Sequence, residues 1–266
     1  MPKNETLPLI IAHRGASALA PENTPAAFQK AIEAGADGIE FDVVLAKDGV
    51  PVIFHDLNLQ RMAKKKDRTS GFTSAELQTI DVGAWFNIAH PNKADAKFSG
   101  ETIPTLAKML KFLSGYQGRV YVELKGRNEE LPALVEAATK LIKQSDLLPN
   151  IILKSFKLQA VAQARKILPE LRTAALFAPK IVSVLSKKSR LIERAKETGA
   201  DELSLHYSLA TPKMAVAAKE QNMRVTIWTA DHPVWIKRAL ERGIHAVITN
   251  NPARLIAKRD EFLRHE

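Results

Sequence analysis

Glu40-Phe41-Asp42 sets two carboxylates two residues apart inside an apolar run, and in an extended chain that spacing turns both to one face. Burying two like charges side by side is unfavourable unless a cation lies against them. A third carboxylate, Glu123, closes on the same pattern in the run Val120–Leu124, so a site of three oxygen ligands is expected. The chain has no cysteine, which excludes disulfides, thiolate nucleophiles and Cys-ligated zinc. Hard oxygen ligands suit one divalent cation, Mg²⁺ or Ca²⁺. The competing reading of the same residues is an ion-pair network, with Arg14 and Lys125 neutralising the carboxylates.

The neighbouring groups suit an anionic substrate. Arg14 offers a fork matched to phosphate oxygens, and Lys125 a point charge. His13 and His55 end two other apolar runs and provide a general acid and a general base. A divalent ion beside them would stabilise charge developing on a phosphoryl group. The set reads as metal-assisted cleavage of a small phosphoester. Of the remaining histidines, His206 follows the run Glu202–Leu205 and is a further pocket candidate, while His232 sits where a helix begins. His90, His245 and His265 read as loop or surface residues.

These residues can meet only if their elements share one end. Apolar runs at Leu9–Ala12, Gly38–Val44, Val52–Phe54, Val120–Leu124, Ile151–Ser155, Thr173–Phe177, Glu202–Leu205, Val225–Thr229 and Ala246–Thr249 predict strands, with amphipathic helices between most of them. Thr24-Pro25 and Thr211-Pro212 are helix starts, Asp231-His232-Pro233 is a variant of them, and Gly35 closes the first helix. The link Leu45–Pro51 contains an Asp-Gly turn and is too short for a parallel crossover, so Val52–Phe54 is an antiparallel return strand. Eight parallel strands then remain, each followed by a helix. That count predicts a TIM-type (β/α)8 barrel of the α/β class in one catalytic domain, 1–266. A capping insertion, about 46–104, follows the second strand; there Trp85-Phe86 packs beneath the cap or lines the pocket. An open doubly wound sheet is the alternative arrangement.

In such a barrel the polar residues at the C-terminal strand ends form the site: His13-Arg14, Glu40 and Asp42, His55-Asp56, Glu123 and Lys125, Ser155-Phe156, Trp228-Thr229 and Thr249-Asn250. Hydrophobic residues at 45% and charged residues at 26% fit a globular protein and exclude disorder for most of the chain. No apolar stretch approaches the roughly 18 residues of a membrane span, so no stable membrane insertion is expected. The short apolar segment before His13 does not make a secretory signal, and the expected location is cytoplasmic. The net charge of +10 favours anionic partners or simply keeps the surface soluble. Its basic runs, Lys64–Arg68 and Lys187–Arg190, lack interleaved aromatics, so they read as solvated faces with no nucleic-acid role.

The ordered set His13-Arg14-Gly15, Glu22-Asn23-Thr24, Glu40-Phe41-Asp42, Lys47-Asp48-Gly49, His55-Asp56, Glu123-Leu124-Lys125, Ser155-Phe156, Trp228-Thr229 and Ile248-Thr249-Asn250 resembles the glycerophosphodiester phosphodiesterase family. The similarity runs from about Leu9 to Pro252 and is nearest the compact cytoplasmic bacterial members. The resemblance implies a barrel with an insertion after the second strand. It implies metal at Glu40, Asp42 and Glu123, acid–base catalysis by His13 and His55, and phosphate held by Arg14 and Lys125. Trp228 would lie against the glycerol or the leaving alcohol. The reaction implied is hydrolysis of glycerophosphodiesters, such as glycerophosphocholine or glycerophosphoethanolamine, to sn-glycerol 3-phosphate and an alcohol. In the family's mechanism the substrate's own hydroxyl attacks phosphorus, and water then opens the cyclic phosphate. Two departures stand outside the ligand set: Met62-Ala63 leads into the lysine run, and Asn250 replaces a common Asp. Glu22-Asn23-Thr24 is read either as a helix cap or as substrate contact. Alternatives are phospholipase D-like cleavage of lysophospholipids, requiring an apolar groove, or a non-catalytic glycerophosphate-binding barrel.

Overall fold

The computed structural model describes residues 7–179 and 189–264. The first six residues, Lys187 and Lys188 of the second basic run, and His265 lie outside the described residues. The strands are β1 (Leu9–His13), β2 (Gly38–Leu45), β3 (Pro51–Ile53), β4 (Arg119–Leu124), β5 (Ile151–Ser155), β6 (Arg172–Phe177), β7 (Glu202–His206), β8 (Arg224–Trp228) and β9 (Ala246–Thr249). β1 pairs in parallel with both β2 and β9, so the sheet has no open edges among its parallel members and closes into a barrel. That closure overturns the open doubly wound alternative. β3 pairs antiparallel to β2, Val43 opposite Ile53, after a turn at Gly49 where φ is +76°. The hairpin is as the short link predicts.

The barrel helices are built from the expected signals. Thr24 accepts the Ala27 N–H at the start of Pro25–Glu33, and Thr211 accepts the Met214 N–H at the start of Pro212–Glu220. Asp231 does not repeat the device. The Val234 N–H goes to His232 Nδ1 at 3.1 Å, while the Asp231 carboxylate turns to Thr249 and Asn250. The helices cover the outer sheet face with two apolar layers, one around Phe28, Phe41 and Val122, the other around Leu203, Ile227 and Ile236. Burying one such Phe contributes about 2 kcal/mol.

Inside the barrel Ile11, Tyr121, Ile152, Ala174, Ala246 and Ile248 pack together, which fixes the inward parity of β1, β4, β5, β6 and β9. Glu202 is buried among them and accepts from Tyr121 Oη at 3.0 Å and Thr226 Oγ1 at 3.1 Å. His245 lies in the loop before β9. Its N–H donates to the Val225 carbonyl and its carbonyl accepts from Leu9, so it is half-buried between β8 and β1.

The 46–104 segment carries β3 and the short helices Gln60–Ala63, Ser74–Leu77 and Ala84–Ala89 around its own apolar cluster of Val52, Phe54, Leu59, Leu77 and Ile103. It reaches the loop after β1 at the C-terminal mouth, where Lys93 Nζ donates to the Ala18 carbonyl at 2.8 Å. Phe86 is fully buried against Phe98, and Trp85 is half-buried under the Arg61 guanidinium, so this pair packs the cap. Lys64–Arg68 is exposed, as expected for a solvated loop.

Candidate active site

The C-terminal mouth begins with a strained turn. Gly15 has φ +79°, and a Cβ there would lie 2.6 Å from the Ala27 backbone, so only glycine lets β1 turn this close to its helix. Arg14 and Asn23 are also left-handed, at φ +57° and +61°, and the Asn23 N–H donates to the Arg14 carbonyl at 3.0 Å. Left-handed backbone at two non-glycine residues costs energy that the surrounding contacts must offset. Those contacts all lead to the β2 carboxylates. Arg14 donates its backbone N–H to Glu40 Oε2 at 3.1 Å, and its Nε lies 3.0 Å from Asp42 Oδ2. Asn23 Nδ2 donates to Asp42 Oδ2 at 3.0 Å, and the Asp42 N–H donates to Asn23 Oδ1.

Glu40, Asp42 and Glu123 offer oxygens all within 4.8 Å of one another, and each residue is buried. Registry explains the meeting, because Asp42 lies opposite Glu123 across β2 and β4. Lys125 Nζ pairs with Glu123 Oε1 and lies 3.3 Å from Asp42 Oδ1. Both the expected carboxylate cluster and the competing ion pairs are therefore present. Glu40 Oε1 and Asp42 Oδ1 are buried and face ammonium groups, Lys154 at 2.8 Å and Lys125 at 3.3 Å. Three hard carboxylates gathered within 4.8 Å are a donor set that fits a divalent cation such as Mg²⁺ or Ca²⁺.

Electrostatics follow from the same contacts. Burial raises the Asp42 carboxyl, but Lys125, Arg14 and His55 outweigh it and hold it well below the usual carboxylate range. Burial likewise acts on Glu40, where Lys154 and His13 prevail and lower it. For Lys125, burial is overcome by Asp42 and Glu123, which hold the ammonium charged beyond its ordinary range.

Both histidines are anchored by one nitrogen. His13 Nδ1 lies 2.7 Å from Asn250 Oδ1. Asn250 cannot be the donor there, because its Nδ2 donates to Asp231 Oδ2 at 2.7 Å. His13 therefore donates from Nδ1, and its other ring nitrogen, Nε2, lies 4.0 Å from Glu40 Oε2. His55 Nδ1 lies 2.5 Å from Asp56 Oδ1, and Asp56 also accepts from Arg61 Nε at 2.7 Å. Burial of Asp56 is outweighed by His55 and Arg61, so its carboxylate stays ionised far below the usual range. Arg61 then bridges to Glu22, which also receives Arg14 Nη1 at 2.7 Å.

Trp228 ends β8 at the same mouth, edge-on to Phe156 and His206, and its Nε1 is buried without a partner. His206 thus stands beside Trp228 at the mouth. Ser155 is structural, donating to the Leu124 carbonyl at 2.8 Å. In Glu22-Asn23-Thr24, Thr24 caps the helix while its two neighbours serve Arg14 and Asp42.

Sequence reasoning missed two participants, Asp231 and Lys154. Asn250, named at the mouth but outside the ligand set, holds His13, and Asp231 holds Asn250. Lys154, 1% exposed, puts Nζ 2.8 Å from Glu40 Oε1 and 3.5 Å from Glu123 Oε2. A lone lysine within the apolar run Ile151–Ser155 was the available signal for it.

A closed (β/α)8 barrel with anchored histidines and buried carboxylates at its C-terminal mouth defines a class, the barrel enzymes equipped for phosphoester chemistry. The glycerophosphoryl diester phosphodiesterase family model matches residues 13–254, and the chain belongs to that family. It is a phosphoric diester hydrolase of the family. A glycerophosphodiester phosphodiesterase from Caldanaerobacter subterraneus subsp. tengcongensis is 32% identical over 93% of this chain and 96% of its own. One from Bacillus subtilis is 28% identical over 92% of this chain and 84% of its own. An Oleispira antarctica phosphodiesterase, solved in complex with the product sn-glycerol-3-phosphate, superposes with TM-score 0.83 at 28% identity, covering 96% of this chain and 97% of that one. A Silicibacter pomeroyi structure at 24% identity shares the fold with TM-score 0.87, covering 97% of this chain and 95% of that one.

Proposed function

We propose that this chain hydrolyses glycerophosphodiesters, such as glycerophosphocholine and glycerophosphoethanolamine, to sn-glycerol 3-phosphate and the free alcohol. The observation that carries the reading is the buried triad of Glu40, Asp42 and Glu123 between two histidines whose Nδ1 atoms are already engaged. His13 and His55 are the acid–base pair, each exchanging its proton at Nε2. The triad holds one Mg²⁺ or Ca²⁺, which supplies Lewis-acid stabilisation of phosphoryl charge when bound. Arg14 and Lys125 grip the phosphate, and the unpartnered Trp228 indole lies against the glycerol or the leaving alcohol. In the first step the glycerol 2-hydroxyl attacks phosphorus, giving its proton to one histidine while the departing alcohol oxygen takes a proton from the other. Water then opens the cyclic phosphate with the two roles exchanged.

The catalytic unit is the whole barrel with its insertion, acting in the cytoplasm, a location that cell fractionation tests. A lysophospholipid is the substrate to try second: of the insertion residues first named for an apolar groove Phe86 and Phe98 are buried, although Leu57 and Ile88 of the same segment are exposed. The deciding experiment incubates the purified protein with glycerophosphocholine and follows glycerol 3-phosphate release with Mg²⁺, with Ca²⁺ and with a chelator. Metal-dependent release is expected. Release unaffected by the chelator overturns the metal, and lysophospholipid cleavage without glycerophosphocholine cleavage overturns the substrate.

A further inference from the structure

Lys154 is a buried cation that the proposed reaction does not use. It stands two residues after the inward-facing Ile152 on β5, so strand alternation aims it into the barrel. Its ammonium shares Glu40 Oε1 and Glu123 Oε2, two oxygens on two of the three carboxylates. Arg14 and Lys125 differ from it: their side chains are 16% and 19% exposed and border the mouth, where a phosphate can take them up. The Lys154 side chain is 2% exposed, and leaving its carboxylates without a new partner would strand a charge in the protein interior.

Three carboxylates therefore face three cations, Arg14, Lys125 and Lys154, before any ion arrives. A divalent ion entering the triad must compete with the ammonium for the same oxygens and then remain beside a fixed positive charge. Resting on the metal reading above, we infer that Lys154 is a resident counter-charge that weakens divalent-ion binding at Glu40, Asp42 and Glu123. The site accordingly holds Mg²⁺ or Ca²⁺ as an exchangeable ion. In its absence the ammonium keeps the three carboxylates from repelling one another apart.

The test uses the full-length protein and Lys154→Met, which keeps the length of the side chain and removes its charge. Calorimetric titration with MgCl2 and CaCl2 is expected to show binding at least about tenfold tighter in the variant. Thermal unfolding is expected to show a lower metal-free Tm in the variant and a larger rise on adding metal than in the wild type. Equal or weaker binding in the variant, with the wild type binding measurably, overturns the inference and leaves the metal reading intact. No binding to either protein overturns both. If Lys154→Met does not fold, the wild-type Lys154 ¹⁵Nζ resonance is followed during Mg²⁺ titration. A shift that saturates with binding supports the competition, and an unmoved resonance during measurable binding overturns it.

Discussion

Glu40 and Glu202 are both fully buried on the inner wall of one barrel, and they titrate in opposite directions. Burial raises Glu202, and the hydroxyls of Tyr121 and Thr226 do not offset it. At Glu40 the same burial is beaten by an ammonium and an imidazole. One end of the barrel is a cluster of carboxylates and cations, while the other places its carboxyl among hydroxyl donors. Around that lower end Arg119 and Arg172 both donate to the Pro149 carbonyl, at 3.5 and 2.6 Å. Burial alone makes a polar plug; burial with opposed charge makes a place for chemistry.

The largest effect that tests this contrast is at the histidines. His13→Ala and His55→Ala should each lower turnover by about 10²–10⁴-fold with an unchanged circular dichroism spectrum. Near-normal turnover in either variant would remove that histidine from the reaction. Next comes the paired comparison of the two glutamates. Glu40→Gln should cost activity on the order of 10²-fold or more and weaken metal binding. Glu202→Gln should keep its hydrogen bonds and nearly full activity. Its pH profile carries a sign: with a raised folded-state pKa, Glu202 contributes stability at low pH that is lost as pH rises through that value. The Gln variant should therefore melt higher than the wild type at pH 7, and a lower Tm there would break the comparison.

A smaller loss is expected at the anchor of His13. Asn250→Ala should reduce turnover about tenfold, and Asn250→Asp, which still accepts from Nδ1 but sets a carboxylate against Asp231, should recover only part of it. Full turnover in Asn250→Ala would remove the anchor from the reaction. The smallest effect lies at the lower end. Burial, with Arg224, Arg119 and Arg172, pushes His245 down to about 4. Its neutral form thus contributes stability that is complete above the ordinary histidine range and is lost as pH falls toward 4. His245→Gln should flatten the fall in Tm between about pH 6.5 and 4 while leaving turnover untouched.

The alternation of apolar runs and helix starts made the barrel legible, and the short link Leu45–Pro51 identified the return strand, which five residues, 46–50, join to β2. Of the residues named in advance, His13, Arg14, Glu40, Asp42, His55, Glu123, Lys125 and Trp228 all reach the C-terminal mouth. Lys154 stayed hidden because polar residues were sought where each apolar run stops, and this one is within it. Asp231 was hidden by resemblance, since Asp-X-Pro is a common helix start and nothing local says that the carboxylate faces another strand end. His245 lies in a loop, as read; what the sequence does not reveal is that Leu9 and Val225 pair with its backbone there and half-bury it. Tertiary pairings of this kind span elements far apart in sequence, beyond the reach of periodicity.

The antiparallel hairpin has a consequence for how such a chain can change. The Phe54 N–H donates to the Asp42 carbonyl at 3.0 Å, which ties the residue before His55 to the carboxylate cluster through the backbone. The insertion is also keyed into the barrel further along, because Phe86 and Phe98 share one buried apolar cluster with Phe28 and Leu106. Shortening or grafting that segment would therefore cut into the barrel core as well as the rim of the mouth.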